Sequence, residues 1–563
     1  MSQALMLNHK LQKVLTQRVA AGLKRRSIAK TSDWALQYRV MGQPFPGKWT
    51  FKWHPWLRDM HDCTTEMMTG MKAAQMGYTE TALNKALKAI DIDGQSVMYI
   101  LPASKPDASD FSSSRFDPAL EMSPHLAKLF TSVKNVQHKR AGNANLYLRG
   151  SKSRSQLKSV PAGMMIFDEV DEMNQKNIPL AFERMSGQKV MQAFMLSTPT
   201  IEGIGISKWH EQSTCEEYTF KCPCCSRMTM LKSPEDNLVI TADDILDPEI
   251  ENSYYVCKDC GGILHHEEKI NWLKYETSEW VPSFTGRTNR GFHINQMYSM
   301  ALGGKPAAMA KAVIRAEFSP EEEQELYNSK LGTTHAVKGA RVDDEHITAC
   351  TEIGGHTKIE QSPNTYFTTM GVDIGKWIHF EIDQWFFDES MLTFDINLMA
   401  TSKLVMENKV RDFEELDRYM NLFNINYCVV DAEPETRKAT EFANRFYGRV
   451  SVCYYARGVQ KKFINEHTDT PAISVDRTSW LDASLGRIIG TRCMLPKDLS
   501  MEYKTHIKSL VRIYKKDADG NPVGSYVKES NAADHFAHAH NYAEIALPLG
   551  LGLAQSKNIE DRV

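Results

Sequence analysis

The sequence predicts an α/β chain with two sheet-based domains and a small metal-binding insertion, and three observations support this organisation. A strand-like run, a glycine turn and a helix-like run follow one another over residues 67–90. Two C-x-x-C pairs occur between residues 222 and 260. In the last third of the chain, two strand-like runs carry aspartates and a third aspartate precedes a helix-like run. The 563 residues are sufficient for about two to four domains.

The glycine-rich segment Gly70–Thr79 has the pattern of a phosphate-binding loop whose lysine is displaced. An ordinary loop, G-x-x-x-x-G-K-[ST], surrounds phosphates with backbone N–H groups, directs its lysine at the β- and γ-phosphates and places a hydroxyl on Mg²⁺. Here Tyr78 stands between Gly77 and Thr79 in the lysine position, so Lys72 at the other end of the loop is the candidate phosphate ligand. The helix predicted to follow would direct its N-terminus at the nucleotide. A glycine turn before a surface helix would produce the same local pattern.

Two downstream segments complete a nucleotide site. The apolar run 164–167 predicts a buried parallel strand that ends in Asp168 and Glu169, at the sheet edge where open α/β sheets bind ligands. We expect Asp168 to hold Mg²⁺ and Glu169 to orient the attacking water. The next strand-like run ends in Ser197 and Thr198, which are well placed to sense the γ-phosphate. Three strands with polar ends in this order favour a P-loop (RecA/ASCE-like) domain that hydrolyses ATP.

The cysteine pattern predicts a structural zinc ribbon. Two C-x-x-C knuckles separated by residues 226–256 can place four thiolates tetrahedrally around Zn²⁺, and such a site leaves no open position for catalysis. The predicted ligands are Cys222, Cys225, Cys257 and Cys260. Cys224 is a spare thiol in the first knuckle, and His265 and His266 are possible substitute ligands.

The C-terminal third predicts an RNase H-like nuclease domain. Asp373 lies in a strand that turns at a glycine and is followed by an alternating run typical of a hairpin partner. A second strand ends in Asp431, and Asp534 stands at the head of a predicted helix. Carboxylates in this order can hold two divalent cations, Mg²⁺ or Mn²⁺, that activate water and stabilise the leaving oxygen of a phosphodiester. Competitors for the third position are Glu529, Asp383 and Glu433.

Composition limits the class of protein. No apolar run approaches the roughly 18 to 20 residues needed to span a bilayer, and the N-terminus lacks the apolar core of a signal peptide. Eleven cysteines do not require disulfides and suit a reducing compartment. The net charge of -3 does not exclude DNA, because only local clusters of lysine and arginine contact phosphates.

The order of these motifs resembles the large subunit of tailed-phage terminases of the lambda (gpA-like) type, a family whose phosphate loop also carries its lysine early. The resemblance covers roughly residues 40 to 545. The further segments that carry it are Pro46–Trp49, Trp53–Asp62, Gly150–Ser159, Gly291–Asn295 and Tyr327–Gly332.

The resemblance implies ATP-driven translocation of double-stranded viral DNA into a procapsid and endonucleolytic cutting of concatemeric DNA. It also implies that Asp373 bridges two metal ions, that Asp431 binds one of them and that Asp534 completes the nuclease site. The partners implied are a small terminase subunit, the portal protein and further copies of the chain in a ring, with no membrane, in the host cell cytoplasm.

One departure from the family concerns the arginine finger. The family often has arginine where this chain has Lys158, so Arg149 and Arg154 become the nearest candidates.

The predicted domain boundaries follow from these motifs. Residues 1–40 are expected to form a helical segment, 41–345 an ATPase domain with the ribbon inserted at about 215–285, 346–364 a linker, 365–548 the nuclease domain and 549–563 a mobile tail. Two alternatives remain open. A transposase or integrase-like protein also combines zinc with three acids on an RNase H fold, and a zinc-ribbon DNA-binding protein could carry a degenerate ATPase.

Overall fold

The computed structural model divides into two units, Met1–His335 and Ala336–Val563. It describes Gln12, Thr16, Leu392 and residues 29–43, 45–130, 133–158, 160–188, 190–361, 366–388, 396–456, 463–516, 522–528 and 532–553. Most of the predicted N-terminal segment 1–40 and residues 554–563 of the predicted tail therefore lie outside the described residues. No helix in the described ranges is both long and apolar enough to cross a membrane.

The first unit is built on a mostly parallel sheet. The described strands of the whole unit are β1 Val40–Met41, β2 Gly47–Lys48, β3 Met67–Lys72, β4 Val97–Leu101, β5 Val133–Asn135, β6 His138–Ala141, β7 Ala144–Gly150, β8 Met164–Asp168, β9 Gln192–Ser197, β10 Glu216–Lys221, β11 Met228–Thr229, β12 Leu238–Val239, β13 Tyr254–Val256, β14 Ile263–Leu264, β15 Ser278–Pro282 and β16 Arg290–Ile294. The main sheet has the order β11-β10-β16-β3-β9-β8-β4-β7-β6-β5, and β15 pairs with β10. The run from β10 to β7 is parallel throughout.

Helices flank this sheet. They are α1 Thr31–Tyr38, α2 Leu57–Asp62, α3 Tyr78–Asp91, α4 Ser109–Phe111, α5 Asp117–Met122, α6 Pro124–Leu129, α7 Arg154–Lys158, α8 Ile178–Phe182, α9 Gly205–Glu211, α10 Pro234–Asn237, α11 Lys269–Trp272, α12 Pro306–Phe318 and α13 Pro320–Glu325. Strands β4 and β8 are buried along their whole length, as expected for parallel strands covered on both faces. The carboxyl ends of β3, β8 and β9 consequently meet at one edge of the sheet, because the three strands are parallel neighbours.

The second unit contains a mixed sheet of eight described strands in the order β22-β23-β21-β20-β17-β18-β19-β24. Its strands are β17 Phe367–Ile374, β18 Ile378–Phe386, β19 Thr401–Val410, β20 Tyr427–Asp431, β21 Val450–Tyr455, β22 Ile464–Glu466, β23 Ala472–Val475, β24 Cys493–Met494 and a separate pair, β25 Leu510–Lys516 with β26 Pro522–Lys528. The first three strands are antiparallel, and β20 and β21 continue from β17 in parallel.

Helices of the second unit cover both faces of this sheet. They are α14 Asp344–Gly354, α15 Ile396–Met399, α16 Phe413–Leu422, α17 Thr436–Arg445, α18 Arg477–Ile489, α19 Met501–Lys508 and α20 His535–Gly550. Helix α20 lies directly on β17 at Gly371, where a Cβ atom would come within 1.9 Å of the carbonyl oxygen of Ala539. Only glycine permits this approach, which fixes α20 over the centre of the sheet.

The predicted fold class is confirmed. A P-loop-like α/β unit carries the inserted cysteine ribbon, and the second unit has the antiparallel-then-parallel sheet expected of an RNase H-like domain.

The first half of the linker predicted over residues 346–364 is helical in the structure. Helix α14 occupies Asp344–Gly354, because Asp343 and His346 form a capping box at its start and Ile347 and Cys350 are buried. The two units divide earlier, between His335 and Ala336.

Candidate active sites

The phosphate-type loop connects β3 to α3. Lys72 is the last residue of β3, and Gly77 adopts a φ of 84°, a left-handed conformation that favours glycine and turns the chain into α3. The aromatic ring of Tyr78 is buried against Gly70. Tyr78 can therefore offer only its backbone N–H to the cavity in front of the loop.

Backbone amides at the start of α3 are directed towards that cavity. The amides of Ala73 and Ala74 donate to carbonyls of Ile294 (2.8 Å) and Ser329 (2.7 Å), which fixes the beginning of the loop. The first bond of α3 runs from the amide of Thr81 to the Gly77 carbonyl, 3.2 Å away. Helical geometry leaves the preceding amides without intrahelical partners, so this end of the helix can bind an anion.

The side chain of Lys72 reaches the ends of two other strands, β8 and β9. Its ammonium lies 3.3 Å from Glu169 Oε1 and 3.3 Å from Thr198 Oγ1. Lys72 is 6% exposed, so most of its stem is buried and its charged end is confined to this edge of the sheet. The ammonium of the displaced lysine therefore lies between the ends of β8 and β9, at the cavity in front of the loop.

Asp168 and Thr79 form an oxygen-ligand pair suited to Mg²⁺. Thr79 Oγ1 is 3.4 Å from Asp168 Oδ1, and the hydroxyl of Tyr99 donates to Asp168 Oδ2 at 2.6 Å. Burial, and next the charge of Glu169, raise the pKa of Asp168 to about 6. A divalent cation would relieve this repulsion, and a hydroxyl beside a carboxylate matches the ligands that Mg²⁺ prefers.

Glu169 and the end of β9 form the other side of the site. Glu169 has a φ of 63° and lies next to Ser197, whose hydroxyl is 3.4 Å from Glu169 Oε2. The half-buried Asp171 accepts hydrogen bonds from the amide (2.9 Å) and hydroxyl (2.8 Å) of Thr200 and from the Ile206 amide (2.8 Å). Asp171 therefore fixes the turn that follows Ser197, a role the sequence did not reveal.

Four of the predicted site residues, Lys72, Thr79, Glu169 and Thr198, line one cavity of about 900 Å³, whereas Asp168 and Ser197 are not among its lining residues. Phe45 and Trp53, stacked with ring centroids 5.5 Å apart, belong to its lining and provide aromatic surface for a base. Arg115 also lines the cavity and is 59% exposed, with its guanidinium 3.6 Å from Glu80. Neither predicted finger candidate, Arg149 or Arg154, is among the lining residues.

The cysteine ribbon brings the four predicted ligands together. Their sulfur atoms lie within 4.8 Å of one another, whereas Cys224 is outside the group. The backbone amide of Arg227, followed by its side chain, lowers the pKa of the Cys225 thiol to about 6. Four convergent thiols, one with an acidic pKa, match the donor set of a structural zinc site. The knuckles follow β10 and β13, so the ribbon extends from the edge of the main sheet.

In the second unit, Asp373 and Asp431 line a cavity of about 270 Å³. They lie at the ends of the adjacent parallel strands β17 and β20. Burial, followed by the charge of Asp373, raises the pKa of Asp431 to about 7. Two carboxylates that repel each other in a partly enclosed cavity match the oxygen donors that bind Mg²⁺ or Mn²⁺.

Asp534 adjoins this cavity but is not among its lining residues. It precedes α20, where Oδ1 accepts from Lys528 at 2.9 Å and Oδ2 lies 3.4 Å from His538 Nε2. Despite its burial, His538 and Lys528 hold the pKa of Asp534 below its usual range. His538 lines the cavity and so connects Asp534 to it.

The three acids that compete with Asp534 for the third position of the nuclease site lie in different places. Glu433 lines the cavity, and its amide donates to Asp431 Oδ1 at 3.2 Å. Asp383 is buried elsewhere in the same unit, and Glu529 lies outside the described residues. His535, whose Nδ1 is 2.7 Å from Asp373 Oδ2, holds the first carboxylate in place.

Comparison with known proteins gives a family match for the first unit. Residues 43–280 match the family described as phage terminase large subunit gpA, ATPase domain. No curated protein matches the chain. The match confirms the predicted resemblance over the segment that contains the phosphate loop, the acid pair and the cysteine ribbon.

Solved structures of low identity are also similar. The large terminase of bacteriophage HK97 is 11% identical, with 93% of this chain and 99% of that chain covered and a TM-score of 0.46. The large terminase of a thermophilic bacteriophage in complex with ADP is 11% identical, with 85% of this chain and 93% of that chain covered and a TM-score of 0.28. The magnesium-bound large terminase nuclease from thermophilic phage G20c is 12% identical, with 33% of this chain and 85% of that chain covered and a TM-score of 0.23.

Proposed function

We propose that this chain is the large subunit of a DNA-packaging terminase, because residues 43–280 match the ATPase-domain family of phage terminase large subunits. It moves double-stranded viral DNA into a procapsid at the expense of ATP and cuts concatemeric DNA with its second unit. One observation carries the proposal: a single chain combines Lys72 beside Glu169 in one unit with Asp373 beside Asp431 in the other.

The first unit supplies positioning and charge for phosphoryl transfer. Lys72 and the free amides at the start of α3 bind the β- and γ-phosphates, and Glu169 orients the attacking water. Thr198, whose hydroxyl contacts Lys72, senses the γ-phosphate. Thr79 and Asp168 would hold Mg²⁺, which neutralises charge that develops on the phosphates. The aromatic pair of Phe45 and Trp53 receives the base.

The second unit supplies carboxylates for phosphodiester cleavage. Asp373 and Asp431 would hold Mg²⁺ or Mn²⁺, which activates water and stabilises the leaving oxygen. Asp534 is proposed as the third carboxylate, and Glu433 is the alternative because it lines the same cavity. His535 keeps the Asp373 carboxylate oriented through their 2.7 Å contact.

The ribbon has a structural part in this proposal. Four cysteine ligands leave no coordination position for a substrate, so the bound Zn²⁺ would hold the two knuckles together and not take part in hydrolysis. The proposed partners are the small terminase subunit, the portal protein and further copies of the chain in a ring, in the host cell cytoplasm.

The family match does not favour the two alternatives. A transposase-like nuclease gives no role to Lys72, Asp168 and Glu169. A DNA-binding protein with a degenerate ATPase does not require a lysine and an acid at the same edge of the sheet, whereas a working site does.

The test is to separate the two activities in the full-length chain. ATP turnover, with and without DNA, and Mn²⁺-dependent nicking of plasmid DNA are measured for wild type, Glu169→Gln and Asp373→Asn. We expect Glu169→Gln to lose ATP turnover and keep nicking, and Asp373→Asn to show the reverse. Absence of both activities in the wild-type chain would refute the proposal.

A further inference from the structure

The core of the second unit contains a cluster of ionisable groups that the proposed nuclease does not use. Glu381 and Asp383 lie on β18, and His540 lies on α20, which packs on the same sheet. The three residues are at most 1% exposed. One donor atom from each lies within 4.8 Å of the others, and none of the three residues lines the cavity of Asp373 and Asp431.

Several atoms of this cluster have no hydrogen-bond partner among the described residues. They are both carboxylate oxygens of Asp383 and Oε2 of Glu381. The buried hydroxyl of Tyr503 on α19 lies beside Glu381, and burial, followed by the charge of Glu381, raises its pKa well above the usual value. Buried polar groups are rarely left unpaired, so convergent unpaired oxygens indicate a ligand.

The local charges balance only when a proton or a bound cation joins the cluster. The buried Arg487 is paired with Glu544, with the Nη2 nitrogen 2.7 Å from Oε1, and so is not available to compensate the other two acids. His540 can offset only one of the charges of Glu381 and Asp383. A buried, uncompensated carboxylate is costly, and either a proton or a cation has to remove the excess charge.

His540 has the hydrogen-bonding arrangement of a metal ligand. Its Nε2 lies 3.1 Å from the carbonyl oxygen of Ser484, which fixes the N–H on that nitrogen. The other nitrogen, Nδ1, faces Glu381 at 2.6 Å. Metal-binding histidines usually donate their second ring N–H to a carbonyl or carboxylate in this way.

We propose that Glu381, Asp383 and His540 bind a divalent transition-metal ion of the Zn²⁺ type in the core of the second unit, with Tyr503 as the nearest further donor. The two carboxylate charges then balance the charge of the divalent ion, and the imidazole is neutral. Arg487 and Glu544 balance each other, so the whole cluster is electrically neutral. Bonds of about 2.0 to 2.2 Å place tetrahedral donors roughly 3.4 Å apart, so the carboxylates rotate inward on binding. The ion ties β18 to α20, the helix that begins beside the nuclease acids.

The donor set favours this class of ion over Mg²⁺. Imidazole is a good ligand for zinc and related transition metals. Mg²⁺ requires near-octahedral oxygen coordination and usually keeps several waters, and a cluster whose side chains are almost fully buried has no room for them.

The test counts zinc in a background that lacks the nuclease site. Full-length Asp373→Ala protein is treated with chelator, reloaded with Zn²⁺, desalted and analysed by mass spectrometry for metal content. Two further proteins add Asp383→Asn or Glu381→Gln to this background. The matched control adds Asp482→Asn, which removes a carboxylate held by Arg512 in the same unit.

We expect about two zinc ions per chain in the background and in the Asp482→Asn control, one in the cysteine ribbon and one in the core, and about one in each core variant. Added Zn²⁺ should also raise the melting temperature of the second unit only when both core acids are present, since binding stabilises the folded state. Equal zinc content in the background and the core variants, or about one ion in the background itself, would overturn the proposal. The two acids would then be balanced by a shared proton. The background count decides the question even if a core variant fails to fold.

Discussion

The displaced lysine gives the sharpest prediction. Replacing Lys72 with methionine keeps a straight side chain of similar volume in its buried channel while removing the ammonium. The structure indicates a small effect on folding, because Glu169, with which Lys72 forms its ion pair, is 41% exposed and stays hydrated. Such pairs contribute about 0 to 1 kcal/mol to stability.

The expected effect on catalysis is much larger. Removing one preorganised donor from charge that develops in a transition state costs about 2.7 to 4 kcal/mol, or roughly 10²- to 10³-fold in kcat. Lys72 is the lysine at the phosphate loop whose ammonium lies between the ends of β8 and β9. The Lys72→Met variant should therefore lose ATP turnover while its folded fraction stays close to that of the wild type.

The assay measures steady-state ATP hydrolysis and thermal unfolding of the same preparations, with Mn²⁺-dependent nicking as an internal check. Lys88→Met is the matched control, since Lys88 lies on α3 but its ammonium pairs with Asp93, 3.0 Å away. We expect the control to keep kcat within about twofold of wild type. A Lys72→Met enzyme that hydrolyses ATP within about fivefold of wild type would show that another group contacts the phosphates.

Three further substitutions test the rest of the chain. Cys257→Ser should lose about one zinc ion per chain and lower the melting temperature of the first unit, whereas Cys224→Ser should retain the metal. Elemental analysis measures the zinc content of both variants. Equal zinc in the two variants would exclude the ribbon site. Arg487→Ala leaves Glu544 buried without its arginine partner and should lower the free energy of unfolding by about 3 to 5 kcal/mol, as measured with denaturant. The control is Arg437→Ala, which removes an arginine side chain that is 86% exposed and should lower it by less than about 0.5 kcal/mol. Asp171→Asn places an amide against three donors and should cost about 1 to 3 kcal/mol, so an unchanged unfolding midpoint would contradict its role in fixing the turn after Ser197.

Local patterns predicted the elements that carry the chemistry. The helix expected from Thr79 to Ile90 is observed as Tyr78–Asp91, and the strand expected before Asp168 ends at that residue. These predictions succeed because a buried parallel strand is apolar along its whole length and because glycine marks the turn into a helix. The C-x-x-C spacing predicted the convergence of the four thiols for a similar reason, since each knuckle is a local structure.

Contacts between distant segments could not be predicted in this way. Tyr99 binds Asp168 only because β4 is the neighbour of β8, an adjacency that no local pattern encodes. The same holds for Asp534, whose attachment to Lys528 depends on where β26 returns. Helix α14 was missed because its capping box uses Asp343 and His346, and its short apolar face did not stand out among polar residues.

In the proposed ATPase site, the position of Lys72 would link nucleotide binding to activation of Glu169, the acid proposed to orient water. The lysine contacts Glu169 at 3.3 Å, so it has to leave that carboxylate in order to bind phosphate. The contact is weak because Glu169 is 41% exposed, and a triphosphate with several negative charges competes well against one hydrated carboxylate. Glu169 is meanwhile held at the strand end by a left-handed backbone conformation and by Ser197, 3.4 Å away. In the proposed mechanism, the same movement of Lys72 would neutralise phosphate charge and free Glu169 to accept a hydrogen bond from water, because the lysine contacts both Glu169 and Thr198.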